Sequence, residues 1–223
     1  MKKTMLALGA VLLLLSGCGI PINFNLQTVA GSGKVTSESR PVTDVRAVLL
    51  SGAGELVIAQ TGTESFTVET DDNIQPLIET TLFDGKLTIG FKSGKYPSRV
   101  SKLRYILTVK SLEDIALSGA GTITADKLGA DKLTIESSGA GKITVNGKVG
   151  DLNMSLSGAG TFDGEKLEAQ TATIKISGVG SAVVNAVKTL DATISGAGSI
   201  EYVGSPQVTP TISGAGNIKQ RKP

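Results

Sequence analysis

The sequence predicts an all-β chain folded as a parallel β-helix, or solenoid, and three observations carry that prediction. The first is a repeat: Ser-Gly-Ala-Gly stands at residues 51–54, 118–121, 138–141, 157–160, 195–198 and 213–216, with Ser-Gly-Val-Gly at 177–180. From Ser118 onward the copies begin 20, 19, 20, 18 and 18 residues apart, the near-constant period of stacked structural units. The second is what surrounds the repeat. Five residues after each Ser stand Leu56, Ile123, Ile143, Phe162, Ala182, Ile200 and Ile218, all apolar. Just before each Ser stand Leu50, Leu117, Ser137, Leu156, Ile176, Ile194 and Ile212. Three before it stand Val48, Ile115, Ile135, Met154, Ile174, Ala192 and Pro210, with mostly polar residues between. Apolar residues spaced by two on both sides of a turn mean two half-buried strand segments per unit, because successive strand side chains point to opposite faces. The third is the turn itself. Glycine tolerates positive φ, so Gly-Ala-Gly is expected to reverse the chain where one strand ends and the next begins. Coils of 18–20 residues stacked about 4.8 Å apart would give roughly 30 Å of solenoid for six units.

The glycines have a rival use as a phosphate cradle, and the flanking residues reject it. No copy extends to Gly-x-Gly-x-x-Gly, and no Lys, Lys142 after Gly141 included, completes Gly-x-x-x-x-Gly-Lys-Ser/Thr. A nucleotide loop also opens a helix, whereas these turns enter strands.

Taken in order, residues 1–17 are a targeting segment outside the fold. Lys2 and Lys3 precede an apolar run from Met5 to Leu15 that is too short to span a bilayer, for which about 20 residues are needed. Leu15-Ser16-Gly17-Cys18 resembles the lipobox of bacterial lipoproteins, which would make Cys18 the lipidated N-terminus. Cys18 is the only cysteine of the chain, and an unpaired thiol in an exported protein otherwise lacks a purpose. Residues 18–33, with Pro21 and the Gly31/Gly33 pair, form a tether. Gly19 in place of an acidic residue after Cys18 points to the outer membrane of the cell envelope, without choosing its periplasmic or surface side.

The single domain spans residues 34–223. In its first part, 34–110, strands are expected at 45–50, 55–60, 65–69, 80–83, 86–91 and 103–110, with a hairpin turn at Asp84-Gly85 and one short helical turn near Pro76. Five of the eight Phe and Tyr residues fall between Phe66 and Tyr105. This region supplies the end cap that a solenoid needs over its terminal core and edge. Residues 111–218 are the regular repeats, and Lys219, Arg221, Lys222 and Pro223 discourage pairing at the far edge.

The run Phe66-Thr67-Val68-Glu69-Thr70-Asp71-Asp72-Asn73-Ile74, then Ile78-Glu79-Thr80, Asp84-Gly85-Lys86-Leu87-Thr88-Ile89 and the stretch from Leu112 to Ser118-Gly119-Ala120-Gly121, resembles the auto-transporter adhesin, head GIN domain family. The resemblance covers roughly residues 46–218. It implies a right-handed, two-sheet β-helix of pectin-lyase-like shape in exported, often lipid-anchored bacterial proteins with a proposed role in adhesion. It implies no catalytic motif.

Composition narrows the chemistry. There is no His, the commonest general base and metal ligand, so triads and zinc sites are excluded. Cys18, committed to lipid, cannot be a nucleophile. Loss of residues 1–17 leaves 20 of the 22 basic residues against 20 acidic ones, a neutral balance that argues against nucleic acid as a partner. The carboxylates are Asp71 with Asp72, Glu113 with Asp114, and the scattered Asp126, Asp131, Asp151, Asp163 and Asp191. Neighbours on a strand face opposite ways, so neither pair forms a dyad by position alone. Asp71, Asp72 and Asn73 offer hard oxygens suited to calcium but lack a known loop spacing, and a solvated turn is the plainer reading. No catalytic residue, metal or cofactor is expected.

Two polar rows remain as a binding surface: Thr122, Lys142, Thr161, Ser181 and Ser199, and beside it Thr124, Thr144, Asp163 and Glu201. Exposed sheets also use Thr and Ser without any ligand. The expected protein is a non-enzymatic, lipid-anchored envelope protein, joined to the membrane through Cys18, with an envelope or host glycan or protein as ligand. The competing class is a polysaccharide lyase or hydrolase on the same scaffold, which would need clustered acids and a basic residue in one groove.

Overall fold

The structure, a computed structural model, describes residues 27–221. In the repeats the period-two pattern becomes four long strands, Thr122–Ser137, Lys142–Leu156, Thr161–Ile176 and Ser181–Ile194, each running from one glycine turn to the next. They pair in parallel, one coil on the next, into a β-solenoid. Each long strand turns a corner midway. Register shifts between Ala125 and Leu128, between Thr144 and Gly147, and between Gly164 and Glu168 mark it, as β-bulges do where a strand bends. One coil therefore has a four-residue turn at one corner and a bulge at the other.

The three apolar positions stack in register. Val48, Ile115, Ile135, Met154, Ile174 and Ala192 form one buried column, and Leu50, Leu117, Ser137, Leu156, Ile176 and Ile194 another. Leu56, Ile123, Ile143, Phe162, Ala182 and Ile200 form the third. Each Leu or Ile so enclosed contributes about 1.5–3 kcal/mol. Where Phe162 enters its column the neighbours shrink: Ala182 sits above it, and a Cβ on Gly164 would come within 2.7 Å of its ring.

The turn glycines serve a purpose other than positive φ. Among the repeat glycines only Gly54 has positive φ, at 112°, which corrects the sequence-based expectation for the rest. The constraint is stacking. A Cβ on Gly119 would land on the carbonyl oxygen of Gly52, one on Gly139 on that of Gly119, and so on through Gly158, Gly178, Gly196 and Gly214. The turns sit this close because they are themselves hydrogen-bonded: the Ala140 N–H donates to Gly119 O at 3.1 Å, Ala159 to Gly139 at 3.1 Å and Ala197 to Gly178 at 3.0 Å.

The cap interrupts the order of coils. Ala47–Leu50 lies between Lys86–Phe91 and Asp114–Leu117, and Glu55–Gln60 lies between Leu103–Val109 and Thr122–Ser137. The chain thus lays down its first Ser-Gly-Ala-Gly coil, travels to the end of the stack, returns, and only then resumes. That detour is why 66 residues separate Ser51 from Ser118. Its outer layer is antiparallel: Ser65–Asp71 against Leu103–Val109, Ile78–Phe83 against Lys86–Phe91, and Val35–Arg40 outside Ser65–Asp71. Asp84 and Gly85, with φ of 46° and 73°, make the expected hairpin turn, and Gln75–Leu77 the single helical turn. Arg40 and Gln75 close the end: Arg40 donates to the carbonyls of Ile78 and Gln75, and buried Gln75 to that of Val68.

Residues 27–33, assigned to the tether by the sequence, are ordered against this cap. Gln27–Ala30 pairs in parallel with Lys95–Ser98 as a separate two-stranded sheet. Residues 1–26, which hold the targeting segment and Cys18, lie outside the described residues, as do Lys222 and Pro223. Among the described residues no helix is long and apolar enough to cross a membrane.

Candidate functional site

The first carboxylate pair builds a clasp. Asp71 is fully buried at the end of its strand, and its two oxygens accept the N–H groups of Gly33, at 2.8 Å, and Ser101, at 2.7 Å. Asn73 accepts from the Ser32 N–H and donates to Ala30 O at 2.7 Å, while Asp72 accepts from the Ser32 hydroxyl at 2.6 Å and pairs with Lys34 at 3.5 Å. The Ser32 hydroxyl, then Lys34, hold the Asp72 carboxyl below the usual carboxylate range against a smaller cost of burial. Asp72 and Asn73 lie in a turn with Asn73 exposed, as the plainer sequence reading expects, but Asp71 departs from it by being buried, and together the three residues bind residues 30–34 to the cap.

The second pair lines an open groove. Glu113 and Asp114, with Asp131, Lys132, Ser111 and Thr134, border its volume of about 690 Å³ where the chain leaves the cap for the first regular coil. All of these but Thr134 are exposed. Among the described residues no three carboxylates converge as a metal would require. Ser111 also borders a second cavity of about 360 Å³ against Asp44, Val45, Arg46, Glu64 and Lys110. Glu64 is held there by Lys110 at 3.0 Å and the Val45 N–H at 2.8 Å, which lower its pKa, Lys110 first, while Glu64 raises that of Lys110.

The predicted polar rows exist in register. Thr122, Lys142, Thr161, Ser181 and Ser199 follow one another up the stack. The second row is broken, because Val183 stands between Asp163 and Glu201. Phe162 is buried and Tyr202 packs against the core, as their inward assignment requires. A third row escaped the sequence reading. Asp114, Thr134, Asn153, Thr173, Asp191 and Thr209 stack on the outer face of the strand segments that lead into the glycine turns. The signal was available, since each stands four residues before the turn Ser, but the alignment there was read for apolar positions. Thr134, Asn153 and Thr173 line a shallow cleft of about 260 Å³ with Glu136, Ser155 and Lys175.

Known proteins share this architecture. A putative adhesin from Bacteroides fragilis NCTC 9343 superposes with a TM-score of 0.70 at 25% identity, covering 86% of this chain and 100% of its own. A putative adhesin from Parabacteroides distasonis ATCC 8503, at 23% identity and TM-score 0.57, covers 87% of this chain and 100% of its own. A protein from that organism described as a putative lipid binding protein, at 20% identity and TM-score 0.59, covers 88% and 100%. These last two establish likeness of fold alone. No curated protein sequence matches the chain. The sequence profile of the family described as "Putative auto-transporter adhesin, head GIN domain" matches residues 44–206, so the chain belongs to that family.

Proposed function

We propose that the protein is a non-enzymatic binding protein of the bacterial cell envelope, anchored by lipid on Cys18 to the outer membrane, whose polar rows engage an extended glycan or protein segment. The observation that carries this reading is the constant register of the strand segments that flank the glycine turns. It repeats outward hydroxyl, amide and carboxylate groups at strand spacing, about 4.8 Å, along the sheet faces. Such rows suit a ligand that is itself extended. Membership of a family of putative adhesins supports binding over turnover. Binding of the purified protein to glycan and envelope-protein arrays tests it. The expected result is a ligand lost on Thr134→Ala, Asn153→Ala and Thr173→Ala together, with folding retained. For the anchor, Cys18→Ala is expected to release the protein from membranes, with mass spectrometry excluding a retained leader.

One observation favours a second reading. Glu113, Asp114, Asp131 and Lys132 line one groove, the acidic and basic residue types that a polysaccharide lyase or hydrolase would need. Cleavage of any polysaccharide, abolished by Glu113→Gln or Asp131→Asn, would replace the binding reading with that one.

A further inference from the structure

Between Lys86–Phe91 and Leu103–Val109 the chain makes an excursion, residues 92–102, that the repeat does not need. It contains Lys92, Lys95, Arg99 and Lys102 and no acid. Lys102 pairs with Glu69 at 2.6 Å, but among the described residues Lys92, Lys95 and Arg99 have no carboxylate within ion-pair reach, and Lys95 donates instead to the neutral side-chain oxygen of Gln27. Several coil cations differ: Lys142 faces Asp163, Lys148 faces Glu168 and Lys219 faces Glu201, each a coil away. Arg99 adopts a left-handed φ of 49°, which favours glycine or asparagine, so the turn did not select this cation. Tyr96, between them, is 52% exposed.

The excursion is also where the chain enters the fold. Its strand Lys95–Ser98 pairs with Gln27–Ala30, the Gln27 N–H donating to Gly94 O at 2.9 Å and the Gly31 N–H to Ser98 O at 3.0 Å. Eight residues separate Gln27 from Cys18, a reach of at most about 30 Å when extended. A lipid on Cys18 therefore keeps this end of the solenoid beside the bilayer.

We propose that the flap formed by residues 92–102 and Gln27–Ala30 is a membrane-facing contact, in which Lys92, Lys95 and Arg99 bind anionic phospholipid headgroups and Tyr96 lies at the interface. Its orientation rests on the lipid-anchor reading. Cations whose charge no carboxylate offsets are drawn to an anionic surface within a Debye length, and Tyr suits the boundary between headgroup and water. Held down at one flap, the solenoid presents its coils to ligands away from the bilayer.

The test uses the chain from residue 18 onward with Cys18→Ser, which carries no acyl group, sedimented with phosphatidylcholine vesicles with and without phosphatidylglycerol. Salt-sensitive binding to the anionic vesicles alone is expected. Each cation lost should cost about fivefold, so Lys92→Gln/Lys95→Gln/Arg99→Gln together should weaken binding roughly a hundredfold. Lys127→Gln/Lys166→Gln/Lys188→Gln, on the coils, should change nothing. Lys92→Glu alone gives a second readout should the flap triple melt early. Binding indifferent to phosphatidylglycerol, no binding, or equal loss in the coil triple would overturn the proposal. So would equally tight, flap-dependent binding to heparin, which would make the patch a general polyanion site. The anchor is judged separately by the mass of the cellular protein. An unacylated cellular protein with flap-dependent vesicle binding removes the anchor alone, and an acylated one whose Cys18→Ser form ignores vesicles removes the flap alone.

Discussion

The coils from Asp114 onward and the cap before them use the same strand spacing but are held together differently. In the coils nearly every stabilising contact is copied from one turn to the next: an apolar column, a backbone ladder, a glycine under a carbonyl. In the cap the decisive contacts occur once each. Asp71 binds Gly33 and Ser101, Asn73 binds Ser32 and Ala30, and Glu64 binds Lys110 and Val45. The carboxylates held below their ordinary range, Glu64, Glu69 and Asp72, all belong to the cap. A repeated contact tolerates no bulk at any copy, whereas a singular polar contact is sensitive to charge and acid.

The largest effect should come from a coil turn. A Cβ on Gly158 would meet Ser138 O at 2.7 Å and press harder still on Gly139 O. Both are backbone atoms that cannot swing aside. Gly158→Val should therefore destabilise by about 3 kcal/mol or more and lower Tm by about 10 °C. Thr144→Ala, on an outward position of the neighbouring coil, should stay within about 0.5 kcal/mol. Equal shifts in the two melting curves would remove the stacking explanation.

Next comes the clasp. Asp71→Ala leaves the N–H groups of Gly33 and Ser101 without their acceptor and should cost about 2 kcal/mol. Hydrogen exchange should show residues 27–34 and 99–102 opening while the coils keep their protection. Uniform loss of protection would mean that cap and coils are one cooperative unit.

Acid should separate the regions more gently. A carboxylate whose folded pKa is lowered contributes stability that is full above its unfolded value and is lost as pH falls through the folded value. For Glu64, Glu69 and Asp72, with ordinary values of 4.5, 4.5 and 3.8, that loss begins below about pH 4.5. Exchange in the cap should rise over that window before exchange in the coils does. Lys110, raised above its ordinary value, gives the alkaline counterpart, with the Glu64 pair loosening only as pH rises past that value.

The smallest effect is a gain. Ser137 occupies an apolar column, and its buried hydroxyl has no hydrogen-bond partner. Ser137→Ala should stabilise the protein by about 1 kcal/mol, measured by denaturant midpoint at unchanged m-value. A loss would show that the hydroxyl finds a partner in solution.

How much of this was legible in the sequence follows the same division. Aligning the repeats on their Ser exposes the columns of Val48, Leu50 and Leu56, because a pattern stated seven times averages away local exceptions such as Ser137. Asp84-Gly85 announces its hairpin because both residues tolerate the φ values that turn demands. The bulge corner went unseen, since its shifts fall at different residues in successive coils and leave no common letter.

By itself the sequence determined the all-β class, the period, the inward faces and the place of the glycine turns, because these depend on residues adjacent or at constant spacing. Tertiary structure alone decided that the first Ser-Gly-Ala-Gly coil sits between segments 86–109 and 114–125, that Asp71 closes on a loop thirty residues away, and that the glycines answer to a neighbouring carbonyl. Each of those is a meeting of segments distant along the chain and used once, so no periodicity records it. The partner becomes visible only when the chain has closed on itself.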